Sequence, residues 1–528
     1  MTTSQDNTTK PRLTVAMIVR DEQDTLAASI ESVKGIADEI VVVDLGSTDE
    51  TMPIALRSGA MVNHYGWEND YSAARNQSLR LAEGDWILWL DAGEQLAEEA
   101  ADTVRYFVDH SAEKQNVYRM AVQMPRDERS AGEQVAQVRL IPNNRELCFE
   151  GRVRETLLPS VELAGLSVDM APGLIVCHAR RLDPRWRGER AALDLQLTGL
   201  EVADNQRPSA RTWLAAGEAQ AELGRQLLAR ESFCKAIATA SRGSTEMLEG
   251  YYGLLTSCDG DPNEQDRQLS VCLEALEIFP VDAQLLLAMG NYLQMRQQWD
   301  LAIRSFQTAV KHGQVDVGAW HLMELGEVAV SCLSLCQQAK GSDTDALKTL
   351  GEGIARYGNS PRLLRHLLDL QIKHARGDDA LATAEKLVAD VKQREALALA
   401  IRGACKAAEE DWTAALGLLQ SAYAAGCREI LCLRWLAVVL LSNGQTEAAM
   451  PVLQEWETIE PGNAELRRYR EMLAEPAVGD DSDTEPPEPT ADGHVYRVDQ
   501  GTETTSPSSV QSPKMAPDKS KNSLSTEE

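Results

Sequence analysis

Two short runs without a polar side chain, 40–43 and 87–90, each stop at a carboxylate, Asp44 and Asp91. Apolar runs of this length suit parallel strands covered on both faces, which confines this part of the chain to a layered α/β arrangement. In open α/β sheets, ligands bind just beyond the carboxyl ends of the strands. An acid at two such ends points to a sugar or nucleotide ligand, with or without a metal ion.

The flanking pattern agrees. Leu13–Val19 predicts a strand, 22–33 a helix with Leu26, Ile30 and Val33 on one side, and 40–43 a second strand. A helix follows at 51–58, with Ser47, Thr48 and Asp49 available to cap it, then a helix at 72–82 and a strand at 86–90. This βαβ alternation predicts a mostly parallel sheet with helices on both faces. Residues 117–176 read as more strand-like, with turns expected at 142–144 and 172–173.

Beyond about residue 190 strand signals vanish and a self-similar unit appears. Trp213, Gly217, Ala229, Phe233 and Ala236 recur at identical offsets as Leu286, Gly290, Ala302, Phe306 and Ala309, and again as Leu399, Gly403, Ala415, Leu419 and Ala422. Ala346, Ala380, Ala415 and Ala449 are spaced by 34, 35 and 34 residues. This resembles the tetratricopeptide repeat, a helical hairpin whose small residues sit where two helices approach closely. About six to seven units are expected. One of them, at 248–280, is expected to have an irregular first helix, and the 44-residue step from Ala302 to Ala346 places an insertion in 331–345.

Composition removes some functions. With 52 Lys and Arg against 81 Asp and Glu the formal charge is −29, so the chain has no general basic face for nucleic acid or anionic membranes. Single arginines and helix N-termini still suffice for a small anion. Arg180, Arg181, Arg185 and Arg187 form a local basic cluster, either an anion site or a solvated linker face. The ten cysteines show no metal-binding spacing, and Cys332 and Cys336, one helical turn apart, read as buried thiols. The first residues lack a secretory pattern and 431–441 is too short to span a bilayer, so a cytoplasmic protein without a transmembrane segment is expected. From Pro476 the chain holds 11 acidic and 4 basic residues among many Ser, Thr and Pro, and is expected to be disordered.

Four motifs in order carry a second resemblance: Ala16-Met-Ile-Val-Arg-Asp-Glu22, Asp38-Glu-Ile-Val-Val-Val-Asp-Leu-Gly-Ser-Thr-Asp49, Tyr71-Ser-Ala-Ala-Arg-Asn76 and Gly84-Asp-Trp-Ile-Leu-Trp-Leu-Asp91. They resemble glycosyltransferase family 2, whose GT-A fold is a nucleotide-sugar-binding α/β sandwich. A weaker match, Phe149-Glu-Gly-Arg-Val-Arg-Glu155 through His178, extends it. The resemblance implies an inverting, hexosyltransferase-like enzyme with a UDP-linked sugar donor. Arg20, Asp21 and Glu22 would cradle base and ribose, with Asp44 accepting from a base NH or ribose hydroxyl; the alternative for Asp44 is a helix cap. Arg75 and Asn76 would shape the nucleotide site or form a structural pair.

At Asp91-Ala-Gly-Glu94 the family holds Asp-x-Asp, whose carboxylates bind ribose and a divalent ion, Mg²⁺ or Mn²⁺. Gly93 replaces the second Asp, and Glu94 is the substitute ligand one position on. His178 is a further metal candidate, or a structural histidine. Arg154 stands where the family's Gly-x-x-His-Glu motif has His, and the arginine cluster offers guanidinium charge to the diphosphate in place of metal. Glu155 is the candidate general base, with Glu150 the fallback, since inversion needs one carboxylate to deprotonate the acceptor hydroxyl.

The expected organisation is a disordered 1–10, a family-2-like domain at 11–190, helical repeats at 191–475 and a disordered tail at 476–528. The repeats would recruit a protein or peptide acceptor, or a partner protein. The competing reading is a scaffold whose sugar-nucleotide fold has lost catalysis.

Overall fold

The computed structural model describes residues 10–125, 132–205, 207–258, 264–388 and 390–474. The ends expected to be disordered, Lys10 apart, lie outside the described residues. The N-terminal unit runs β1 (Leu13–Val19), α1 (Leu26–Lys34), β2 (Glu39–Asp44), α2 (Thr51–Arg57), β3 (Met61–His64), α3 (Tyr71–Leu81), β4 (Trp86–Asp91), β5 (Glu94–Leu96), α4 (Ala101–His110), β6 (Asn116–Gln123), β7 (Glu133–Pro142), α5 (Leu158–Leu163) and β8 (Ser167–Cys177).

The sheet order is β3-β2-β1-β4-β7-β6-β8-β5. Strands β1 to β4 are parallel, but β7 joins β4 antiparallel and the half beyond it mixes both senses. The sheet is therefore mixed, and the parallel expectation holds for its first half. Both faces are covered. Leu13, Val15, Met17 and Val19 of β1 meet a core shared with α1 and α4, while Ala16 and Ile18 face the opposite core with α3. That two-sided burial is why these strands carry no polar alternation.

Register places the two acids. Val19 lies opposite Asp44 and Ile18 opposite Asp91, so both acids stand at one rim on either side of β1. Two strand spacings separate them by about 10 Å.

The pair Pro172–Gly173 is not a turn. It lies inside β8, where the pairing with β6 shifts register and Gly173 takes φ +115°. A Cβ there would approach Val104 Cγ2 to 2.6 Å, so glycine lets α4 close on the sheet. The edge strand β3 was not expected; its residues are half-exposed or exposed and give no apolar run.

A long helix, α6 (Pro184–Asp204), runs through the boundary expected at 190. Asp183 caps it, accepting from the Arg185 N–H at 2.9 Å. Among the described residues seven hairpins follow: α7 (Ala210–Glu222) with α8 (Gln226–Thr239), α9 (Thr245–Thr256) with α10 (Gln265–Ile278), α11 (Ala283–Met295) with α12 (Trp299–His312), α13 (Leu325–Ala339) with α14 (Asp343–Tyr357), α15 (Pro361–Lys373) with α16 (Gly377–Leu387), α17 (Val391–Ala408) with α18 (Trp412–Ala424), and α19 (Ile430–Ser442) with α20 (Thr446–Ile459). The last described helix is α21 (Ala464–Ala474). None of these helices is long and apolar enough to cross a membrane among the described residues.

The repeated residues explain the hairpins. A Cβ on Gly217 would lie 2.6 Å from the Phe233 ring, and one on Gly403 would lie 2.7 Å from Leu419 Cγ. The repeated offset is the place where a side chain of the second helix packs against the bare backbone of the first. Ala229, Ala302, Ala346, Ala380, Ala415 and Ala449 are all fully buried. Helix α9, expected to be irregular, is regular from Thr245 to Thr256.

The insertion is not at 331–345, which α13 and α14 fill almost completely. It lies at 313–324 and includes β9 (His321–Leu322), which pairs antiparallel with β7. Ala136 N–H donates to Val317 O at 2.6 Å, and Met323 N–H to Gly132 O at 2.9 Å. Trp320 packs on the core of the sheet, while its neighbour Ala319 is fully buried in the core of the second and third hairpins. One segment thus ties the repeats to the sheet.

Candidate active site

The rim that carries Asp44 and Asp91 gathers most of the residues expected at a site, in unequal states. Asp44 is fully buried. Its carboxylate accepts from Gly46 N–H at 3.1 Å and Ser47 N–H at 3.1 Å, and His64 Nδ1 lies 3.1 Å away. Burial would raise its pKa, but these hydrogen bonds outweigh it and hold the carboxyl below its ordinary value. Asp44 therefore shapes the Gly46–Ser47 turn, and it does not cap α2, whose N-cap position is Glu50; Asp49, just before it, accepts from Thr51 N–H at 2.9 Å.

Asp21, with φ +52°, sits in the exposed turn after β1. It accepts from Thr48 N–H at 2.7 Å, and its own N–H donates to Ser47 Oγ at 3.0 Å. The first two strand-end turns are thereby laced into one ledge. Arg20 is exposed beside it. Glu22 is half-buried and takes Nη2 of Arg180 on both oxygens, at 2.8 and 2.6 Å. Burial lifts its carboxyl above the ordinary value despite Thr25 and Arg180.

Arg75 is the hub. It projects from α3, is 7% exposed, donates from Nη2 to Asp91 Oδ1 at 2.5 Å and from Nε to Glu155. Its guanidinium stacks 4.3 Å over Trp89. One cation thus fixes two acids that lie 64 residues apart in sequence, 155 − 91. Asn76 clamps the backbone of Phe149, donating to its O at 2.9 Å and accepting from its N–H at 2.7 Å, a structural role that sets the segment leading to Glu155.

Beyond Asp91 the chain turns at Gly93, φ +83°, into β5. Glu94 is fully buried and bidentate with Arg139 of β7, at 2.7 and 2.9 Å. Arg139 also stacks on Trp89, with its guanidinium 3.8 Å from the ring centroid. Asp91 N–H donates to Glu94 Oε2 at 3.0 Å. Arg181 stands 3.4 Å from Glu94 and 3.6 Å from Asp91. Burial works to raise the Asp91 carboxyl, but Arg75, Arg139 and Arg181 hold it well below the usual carboxylate range. It is an anion at every working pH.

A divalent ion does not fit this donor set. Hard cations need several oxygens. Glu94 already has both oxygens on Arg139, Asp91 has arginines on either side, and His178 Nδ1 accepts from Arg180 N–H at 3.1 Å. Among the described residues no group of three or more His, Cys, Asp or Glu is placed to hold a metal ion. The expected triad of Asp91, Glu94 and His178 is thus not assembled as a metal centre. The arginine cluster splits: Arg180 and Arg181 face the site, Arg185 pairs with Glu189 at the surface and Arg187 with Glu222 of α7.

The repeats complete one wall. Arg154, at φ +50°, reaches Glu218 of α7 and Glu249 of α9, each at 2.8 Å. Arg152 N–H donates to Glu201 of α6 at 2.9 Å. Arg190 of α6 stacks 4.6 Å over Tyr71 and pairs with Asp194 at 3.0 Å. The loop that presents Glu155 is thus held from the helical side. Sequence reasoning missed Arg139, whose signal was an arginine between apolar neighbours in a strand, and Arg190, which has none.

Residues 14–131 match the model of Glycosyl transferase family 2. A TPR repeat-containing protein of Synechococcus elongatus is 47% identical over 98 residues, 19% of this chain and 24% of its own length. A glycosyltransferase of Rickettsia conorii is 34% identical over 110 residues, 21% of this chain and 39% of its own. The chain thus spans well under half the length of these relatives. Among solved structures, a tetratricopeptide repeat protein from Parabacteroides merdae aligns at 11% identity and TM-score 0.37, covering 50% of this chain and 98% of that one. Glucosyl-3-phosphoglycerate synthase from Mycobacterium tuberculosis aligns at 20% identity and TM-score 0.19, covering 22% and 43%.

Proposed function

We propose, from a glycosyltransferase family 2 domain joined to a tetratricopeptide-like array, that this chain transfers a sugar from a nucleotide-diphospho-sugar, UDP-linked, to an acceptor hydroxyl with inversion. The observation that carries the reading is Arg75 holding Asp91 and Glu155 together at the carboxyl rim of the parallel strands. Asp21 and the ledge it laces would receive the nucleoside, and Asp91 the ribose. The acceptor oxygen bonds to the anomeric carbon as the bond from that carbon to the diphosphate oxygen breaks. The nucleoside diphosphate leaves with the bonding pair, and the acceptor proton passes to Glu155. The first hairpins, which touch the Glu155 loop through Arg154, would deliver a protein or peptide acceptor.

Calorimetric titration of the full chain with UDP, followed by UDP release from a panel of UDP-sugars, tests the proposal. Binding, together with release that disappears in Asp91→Ala, is the expected outcome. A second reading, a scaffold without catalysis, draws on Asp44 and Glu94 being engaged by protein groups. It predicts no UDP binding.

A further inference from the structure

Three arginines, Arg139, Arg180 and Arg181, reach the turn at Gly93, and their states differ. Arg139 is 1% exposed and gives both Nη atoms to Glu94. Arg181 meets the acids only at 3.4 and 3.6 Å, near the outer limit of a hydrogen bond, and so is loosely held. Arg180 rests on Trp186, 5.3 Å from its ring, with Nη2 on Glu22.

The position of Arg180 is the telling one. The family resemblance puts the second carboxylate of Asp-x-Asp at Gly93. A Cβ built there would lie 3.7 Å from Arg180 Nη2. Where the resemblance has a carboxylate and its cation, this chain has no side chain and a guanidinium. Both arginines come from the single turn at Ala179–Leu182, directly after His178, whose N–H is fixed to Gly93 O at 2.7 Å. The two halves of the arrangement are thus coupled by one backbone hydrogen bond.

Resting on the nucleotide-sugar reading above, we propose that Arg180 and Arg181 stand in for the divalent cation: they bind the donor's diphosphate and neutralise it as it leaves, without metal. Guanidinium matches phosphate geometry through paired N–H donors and keeps its charge at all working pH values. The diphosphate replaces Glu22 as the partner of Arg180. Glu22 is suited to yield, because burial already disfavours its charged form.

The test is UDP titration of the full chain by calorimetry, once with EDTA and once with excess Mn²⁺ or Mg²⁺. Equal affinity within about twofold, falling at least tenfold in Arg181→Ala with EDTA present, is expected. Glu22→Gln, which frees Arg180 of its competitor, should tighten UDP binding severalfold; unchanged or weaker binding would remove Arg180 from the proposal. UDP bound only when metal is added would overturn the proposal and leave the transferase reading standing. UDP bound under neither condition would overturn both.

Discussion

Glu155 and Glu94 are both carboxylates beside an arginine, yet they predict opposite experimental signatures. Glu155 is half-buried at the rim, so Glu155→Gln keeps the hydrogen bond to Arg75 and removes only the proton acceptor. We expect turnover to fall by about 10²-fold or more with UDP affinity retained, measured by UDP release beside calorimetry. Glu94 is sealed, and Glu94→Ala would strand the buried charge of Arg139. Such a break costs about 3–5 kcal/mol, read by urea denaturation. The same geometry fixes a pH trend. The folded pKa of Asp91 lies below its unfolded value of 3.8. The stability that its pairing supplies is therefore complete above that value and is lost as pH falls through the lower folded one. The thiols of Cys332 and Cys336, pushed up to about 12 by burial, are inert at neutral pH, in line with the structural reading of their one-turn spacing.

At the level of elements, Gly217 and Phe233 show what the repeat requires. Gly217→Val forces its side chain into the Phe233 ring and should destabilise by about 1–3 kcal/mol, with Phe233→Leu in the same chain restoring part of the loss. Asp282 offers a different probe. It caps α11, accepting from Leu285 N–H at 2.8 Å, and receives the Tyr252 hydroxyl at 2.9 Å. Burial raises its pKa from 3.8 to about 6. Between those values the native chain holds a proton that the unfolded chain has lost, so stability declines as pH rises through this window and is flat above it. Asp282→Asn keeps the cap without the charge. It should exceed the parent by about 1–3 kcal/mol above pH 6 and match it near pH 4, in melts across pH.

These elements also show what was legible in the chain. Buried strands and the glycine–aromatic offsets were readable because burial on both faces and close helix approach leave few permitted residue types. Asp44 was read as a ligand residue or a helix cap and Glu94 as a metal ligand, because a sequence does not reveal that Arg139 sits opposite or that the Gly46 turn folds back. The strap at 313–324 was expected in the wrong place, since its apolar contacts, Ala319 and Trp320, serve two cores and have no periodicity.

For the whole molecule, the strap predicts cooperativity. With Thr245 Oγ1 donating to Asp316 at 2.7 Å and β9 on β7, the sheet and the hairpins share one segment. Calorimetric melting of the full chain should give a single transition, and replacing 316–322 by a Gly-Ser linker should split it in two. The net charge of −29 adds a second trait: anions are repelled at long range, so the proposed donor site at the arginine-lined rim would hold its ligand by contact. UDP affinity should then change little, or improve, as salt screens the acidic surface.

Strand β7 begins where β9 joins it, at Glu133 and Gln134, and carries Arg139 along the same extended backbone. Extended chain barely stretches, so the connection between the third and fourth hairpins is geared to the Asp91 rim by a push-rod a few residues long. A variant that displaced this connection would load that rod, and the load would arrive at Glu94 and its neighbour Asp91.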